Sequence, residues 1–132
     1  GDVSRGKVTL ARCLMCHQHG GMGVSYGPAL DGWGKSQPRL VIFRSIIDPS
    51  ADIAHGFGGV EIETKDGKRI HGLSLSRSNP VTVQSMGGMS QLIPRKRIES
   101  QKTLDRSLML SAQQLGLTAQ EVADIVAFLK EN

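Results

Sequence analysis

The chain has only two cysteines, and they stand three positions apart, as Cys13 and Cys16, with His17 directly after them. The segment Cys13-Leu14-Met15-Cys16-His17 constrains the fold more than any other. Two thiols at that spacing, near a helix end, reach the two vinyl groups of one haem and form two thioethers. The imidazole of the next residue then lies under the iron. Two other chemistries also use a Cys-x-x-Cys pair. A thioredoxin-like dithiol follows a strand in a βαβ unit, whereas here the β-patterned residues come later and read as antiparallel. A structural zinc needs two further ligands; His19, His55 and His71 exist, but no second paired motif does.

A covalent porphyrin also accounts for an odd composition. Aromatic residues make up 4% of the 132 residues: Tyr26, Trp33, Phe43, Phe57 and Phe128. A domain of this size normally uses more large side chains to fill its centre. A flat apolar body supplied from outside would complete the core, and the chain without it is expected to fold poorly. The length predicts one domain, 1–132. Apolar residues at 39% and charged residues at 21% describe a globular chain, not a disordered one. No apolar run approaches the roughly 20 residues of a membrane span. The start, Gly1-Asp2-Val3, has no signal-peptide pattern. The 16 Lys and Arg read as dispersed along the sequence, and few aromatics interleave them, so nucleic acid is not the expected partner.

Residues 4 to 15 read as a helix running into the cysteines, with Val8, Ala11, Leu14 and Met15 at helical spacing. Residues 18 to 35 are Gly-rich and predict a loop. Ser36 then reads as an N-cap and Pro38 as the first turn of a second helix. Leu40, Phe43 and Ile47, with Ile42 and Ile46 beside them, give it an apolar face, and Asp48-Pro49 ends it. From Val60 the period becomes two. Asp66-Gly67, Ser78-Asn79-Pro80 and Gly87-Gly88 mark turns between about four antiparallel strands. Thr118 to Glu121 is a capping box, with Leu117 and Val122 at the staple positions, so residues 119 to 130 form a closing helix.

Several of these features together resemble cytochrome c: Gly6, the CLMCH segment, Gly27-Pro28-x-Leu30, and a late Met before a closing helix. Gly32-Trp33-Gly34, Ile46-Ile47-Asp48-Pro49-Ser50, Asp66-Gly67-x-x-Ile70-x-Gly72, Ser107-Leu108-Met109 and Leu117-Thr118-x-x-Glu121-x-x-Asp124 extend the match. In that order they resemble the Pirellula/Verrucomicrobium-type haem-binding domain over nearly the whole chain. The resemblance implies a mainly α cytochrome c fold, its helical core at 1–58 and 100–132, with a small antiparallel β insertion at about 59–99. It implies one haem c, held through Cys13 and Cys16 with His17 as proximal iron ligand. By position it makes Met109 the distal ligand, although Leu110 stands where the family has Pro. It gives Pro28 the role of accepting the His17 ring N–H, beside the plainer role of a loop turn. Trp33 becomes a haem-edge residue, or else a core Trp.

Other distal ligands remain open. Met86 and Met89 flank a turn and read first as a hairpin tip; Met15 lies inside the attachment loop. His55 or His71 would give a bis-His iron of lower potential, and the sixth site could also be open. His19 is expected to face solvent. Lys35 and Arg39 read as a solvated face, and Phe43, Phe57 and Phe128 as core. The implied function is a monohaem electron carrier, not an enzyme, working with an acidic redox partner. The motif also implies a periplasmic or exported setting, since haem c is attached outside the bacterial cytoplasmic membrane. The competing readings are a peroxidase or gas sensor with an open or His-ligated distal site, and a relay domain of a larger dehydrogenase.

Overall fold

Helices gather the two ends of the chain. In the computed structural model, which describes residues 1–132, α1 spans Val3–Thr9 and is capped by Asp2, whose carboxylate accepts from the Arg5 backbone N–H. A 3₁₀ turn, Leu10–Arg12, continues it towards the cysteines. The expected single helix over 4–15 is therefore shorter and tightens before Cys13. Two short strands follow, β1 (Gln18–His19) and β2 (Met22–Gly23), paired antiparallel. Gly20 and Gly21, both at positive φ, make the turn between them, so the Gly-rich stretch is not wholly irregular.

Next come α2, Trp33–Ser36, and α3, Arg39–Ile47. Ser36 closes α2 and does not cap α3; its hydroxyl donates to the Trp33 carbonyl at 2.7 Å. Pro38 holds the N-cap position of α3. The closing helix α4, Ala119–Glu131, carries the expected capping box between Thr118 and Glu121. It packs on α1 so closely that a Cβ on Gly6 would overlap the carbonyl oxygen of Asp124. Asp124, buried at 1% exposure, ties the two ends together. Its carboxylate accepts from the Asp2 N–H at 2.6 Å, Arg5 Nε at 2.8 Å and Gln120 Nε2 at 2.8 Å. Those donors hold its carboxyl well below the usual carboxylate range, the Arg5 hydrogen bond most of all. Leu10, Ile42, Ile46, Val122, Ile125 and Phe128 belong to the helical core.

Between α3 and α4 lies a five-stranded antiparallel sheet: β3 (Gly59–Thr64), β4 (Arg69–Ser76), β5 (Val81–Gln84), β6 (Ser90–Ile93) and β7 (Ile98–Thr103). Their order is β6-β5-β4-β3-β7. Strand makes up 24% of the residues and helix 30%, so the fold is mixed α and β. This corrects the expectation of a mainly α cytochrome c fold with a four-strand insertion. The missed strand, β7, runs to Thr103, past the point where helical structure was expected to resume. Five of its six residues are exposed and Ile98 is its one large apolar residue, so no alternation announced it.

The sheet curls so that its two outermost strands approach at one end, where residues 95 and 97 bond to the β4–β5 and β3–β4 turns. Its outermost strands, β6 and β7, are joined by only Pro94–Arg97, which spans at most about 18 Å. Four strand spacings in a flat sheet would already take about 19 Å. In addition, β4 pairs with β3 through its first half and with β5 through its second, which offsets the outer strands along the sheet. Only a curl closes that distance. Inside it, Val60, Ile62, Val81, Val83 and Ile93 form a second, separate apolar cluster. No helix is long and apolar enough to cross a membrane.

Candidate functional site

Residues 13–17 form a helical turn continuing the 3₁₀ turn after α1. The backbone N–H groups of Cys16 and His17 both donate to the Cys13 carbonyl, at 3.1 and 2.8 Å. Both thiols are half-buried and unbridged. Burial, and then the neighbouring Cys16, push the Cys13 thiol up to about 11; burial also raises Cys16. At neutral pH both stay protonated, the opposite of the depressed thiol that a dithiol redox centre uses. No group of three or more His, Cys, Asp or Glu side chains is placed to hold a metal ion, so a four-ligand zinc site is not assembled around the pair.

His17 is buried at 8% exposure, and its Nδ1 lies 2.7 Å from the Pro28 carbonyl oxygen. A carbonyl only accepts, so Nδ1 is the donor of this bond, and in the neutral ring Nε2 is the nitrogen left with a lone pair. The loop that presents Pro28 is held to the cysteine turn: Tyr26 and Gly27 N–H donate to the Cys16 carbonyl at 3.0 and 2.6 Å, and Val24 N–H to the Leu14 carbonyl at 3.0 Å. A Cβ at Gly27 would stand 2.5 Å from His17 Cε1. Only glycine lets the imidazole lie flat on this loop, a requirement hidden in a run of many glycines.

Trp33 is half-buried and packs, as Cys13 does, against the helical core. Met109 is half-buried in a different place, a cleft of about 320 Å³ at the end of α3. Ile47, Pro49, Ser50, Leu108, Leu110 and Gln114 are among its lining residues, and His17 is not. Its loop is pinned without a proline at 110. Ser107 N–H donates to Ser50 Oγ at 3.0 Å, Met109 N–H to Ser107 Oγ at 3.0 Å, and Ala112 N–H to the Ile46 carbonyl at 2.8 Å.

The apolar face expected on α3 is split. Ile42 and Ile46 are buried, but Leu40, Phe43 and Ile47 are 73%, 40% and 44% exposed. At i, i+3 and i+7 these three form one outward stripe, and its last member lines the Met109 cleft. Phe43 is thus not a core residue of the polypeptide. Only 26 of 132 residues are buried, so the chain by itself builds a small core and leaves large apolar side chains uncovered. Two half-buried thiols on one turn, beside an imidazole held by the Pro28 carbonyl, are a donor set that a covalently held haem would use.

The other histidines and methionines do not join this site. His19 is half-buried, its ring centroid 5.2 Å from that of Phe128, and not solvent-facing as expected. His55 is exposed in the loop before β3. His71 is exposed on β4, with Nε2 2.5 Å from Glu61 Oε2; Lys102 approaches the same carboxylate at 3.0 Å. Those two partners, His71 first, hold the Glu61 carboxyl at about 2. Met86 and Met89 are 47% and 67% exposed at the β5–β6 tip, as expected of a hairpin end. No protein-family model and no curated protein matches the chain.

Proposed function

We propose that this protein is a monohaem c-type cytochrome, carrying single electrons between redox partners in a periplasmic or otherwise exported setting. Cys13 and Cys16 would tether the haem, and His17 and Met109 would supply its iron ligands. The observation that carries this reading is the His17–Pro28 hydrogen bond beside two thiols on one turn: it aims Nε2 as a proximal ligand needs. Cys13 and Cys16 would hold the group through thioethers, each thiol adding S and H across one vinyl double bond, a change that needs no external oxidant. Haem iron supplies a one-electron Fe(III)/Fe(II) couple, with a thioether ligand raising its potential relative to bis-His. The exposed apolar stripe of Leu40, Phe43 and Ile47 would give the ring an apolar surface to pack on. Pinning of the 107–112 loop to α3 holds Met109 against exchange with solvent. The charge excess of +4 favours an acidic partner.

The test is an absorption spectrum of the purified chain in both redox states, with acid–acetone extraction. The expected result is haem that stays with the polypeptide, together with a Met-to-iron charge-transfer band in the oxidised protein. Haem that extracts freely, or no haem at all, overturns the reading. Rapid carbon monoxide binding by the untreated reduced protein would favour an open distal site instead.

A further inference from the structure

The whole formal charge excess of the chain sits in its sheet. Residues 59–103 hold eight of the 16 Lys and Arg and four of the 12 Asp and Glu. The rest of the chain carries eight of each sign. Within the sheet, the basic residues concentrate where the curl closes. There the β3–β4 turn, the β4–β5 turn and the Pro94–Arg97 connection meet. Lys65 N–H donates to the Arg97 carbonyl at 2.8 Å. Arg95 N–H donates to Asn79 Oδ1 at 3.1 Å, and its guanidinium to the Arg77 carbonyl.

Lys65, Lys68, Arg77, Arg95, Lys96 and Arg97 thereby share one seam. Asp66 is the carboxylate placed among them, and it is already engaged. The Thr64 hydroxyl donates to it, and Lys68 and Arg97 each stand 3.9 Å away. Lys65, Arg77, Arg95 and Lys96 make no ion pair. An open groove of about 380 Å³ lies between Lys65, Asp66, Lys96 and Arg97. Folding has collected like charges whose mutual repulsion an acidic ligand would relieve.

We propose that this seam binds an acidic segment of a partner protein. The reading deepens the electron-carrier proposal by giving the acidic partner an address, and rests on it for that partner being a redox protein. All five aromatic residues lie outside 59–103, so a single-stranded nucleic acid finds no base-stacking platform here. The seam also stands apart from the candidate site. Gly59 begins β3 against Leu108, beside Met109, while Thr64 ends it at the seam, about 17 Å away at 3.3 Å per residue. A partner held at the seam leaves the Met109 loop and the attachment turn uncovered.

The experiment is fluorescence anisotropy of a labelled glutamate-rich peptide titrated with the intact chain at low and physiological salt. Binding that weakens with salt is expected. Lys96→Glu with Arg97→Glu should weaken it at least about tenfold, whereas Lys7→Glu with Arg44→Glu, equal in charge but on the helices, should change it little. Lys65→Gln with Lys96→Gln, a milder pair checked by its melting curve, should give an intermediate loss. No peptide binding, or equal loss from both Glu pairs, overturns the proposal. So does tighter binding of phosphatidylglycerol vesicles or duplex DNA that the Lys96/Arg97 pair abolishes, since the seam would then serve another class of molecule. Absorption spectra of the same samples read haem attachment separately, so the two readings fail independently.

Discussion

Gly27 lies flat against the imidazole of His17, with no room between them for a single methyl group. The hydrogen bond from His17 Nδ1 to Pro28 is made by the next residue of that loop. Gly27→Ala therefore either tilts the ring or pushes the loop away, and either movement breaks the aim of Nε2. Overpacking of this kind costs about 1–3 kcal/mol. The expected outcome is a lower yield of haem-bearing protein and a shifted Soret band, read from absorption spectra at equal chain concentration. An unchanged yield and spectrum would mean that the ring orientation is not set by this loop.

Met109→Ala should remove the Met-to-iron charge-transfer band of the oxidised protein and let carbon monoxide bind the reduced protein rapidly. The pinned loop from Ser107 to Ala112 should survive, because none of its anchors is the Met109 side chain. A band that persists would move the distal ligand elsewhere.

The stripe Leu40, Phe43 and Ile47 is exposed in the polypeptide alone and would pack on the ring in the proposed cytochrome. Phe43→Ser should then destabilise the haem-bearing protein by roughly 1 kcal/mol, about half the value of a fully buried large side chain. The chain expressed without haem should lose much less. Urea unfolding of both forms measures the difference, and equal losses would remove the stripe from the site.

Asp124 gives a pH dependence with a definite sign. Its folded carboxyl is held below its ordinary value of 3.8 by Arg5, the Asp2 N–H and Gln120. The unfolded chain therefore binds more protons, and stability rises with pH through that window. The contribution is complete above the ordinary value and fades as acid protonates the folded form. Asp124→Asn should lower the melting midpoint at neutral pH and flatten its fall between about pH 5 and pH 2. Melting curves across that range check it, and a wild-type slope in the variant would assign the acid sensitivity to another group.

What could be read beforehand follows from how local each signal is. The Asp66-Gly67 turn and the Thr118–Glu121 capping box each act within a few residues, and each is legible in the sequence. The His17–Pro28 hydrogen bond agrees with the role that family resemblance gave Pro28. The α3 face was misread because apolar spacing shows which residues share a side but not what covers it. Ile42 and Ile46 meet the helical core, whereas Leu40, Phe43 and Ile47 turn outward and stay exposed. His19 was misplaced because its neighbour, Phe128, is distant in the chain. The mixed character of the fold was missed mainly at β7, whose pairing with β3 is a tertiary fact with almost no trace in its own residues.

That plainness of β7 has its own use. An edge strand offers unpaired backbone groups to any extended segment nearby, and an apolar one invites stacking between molecules. Glu99, Ser100, Gln101 and Lys102 put water-loving side chains and both signs of charge along this border. The composition that hid the strand from sequence reading guards the molecule against fibre-like growth through its outermost rung.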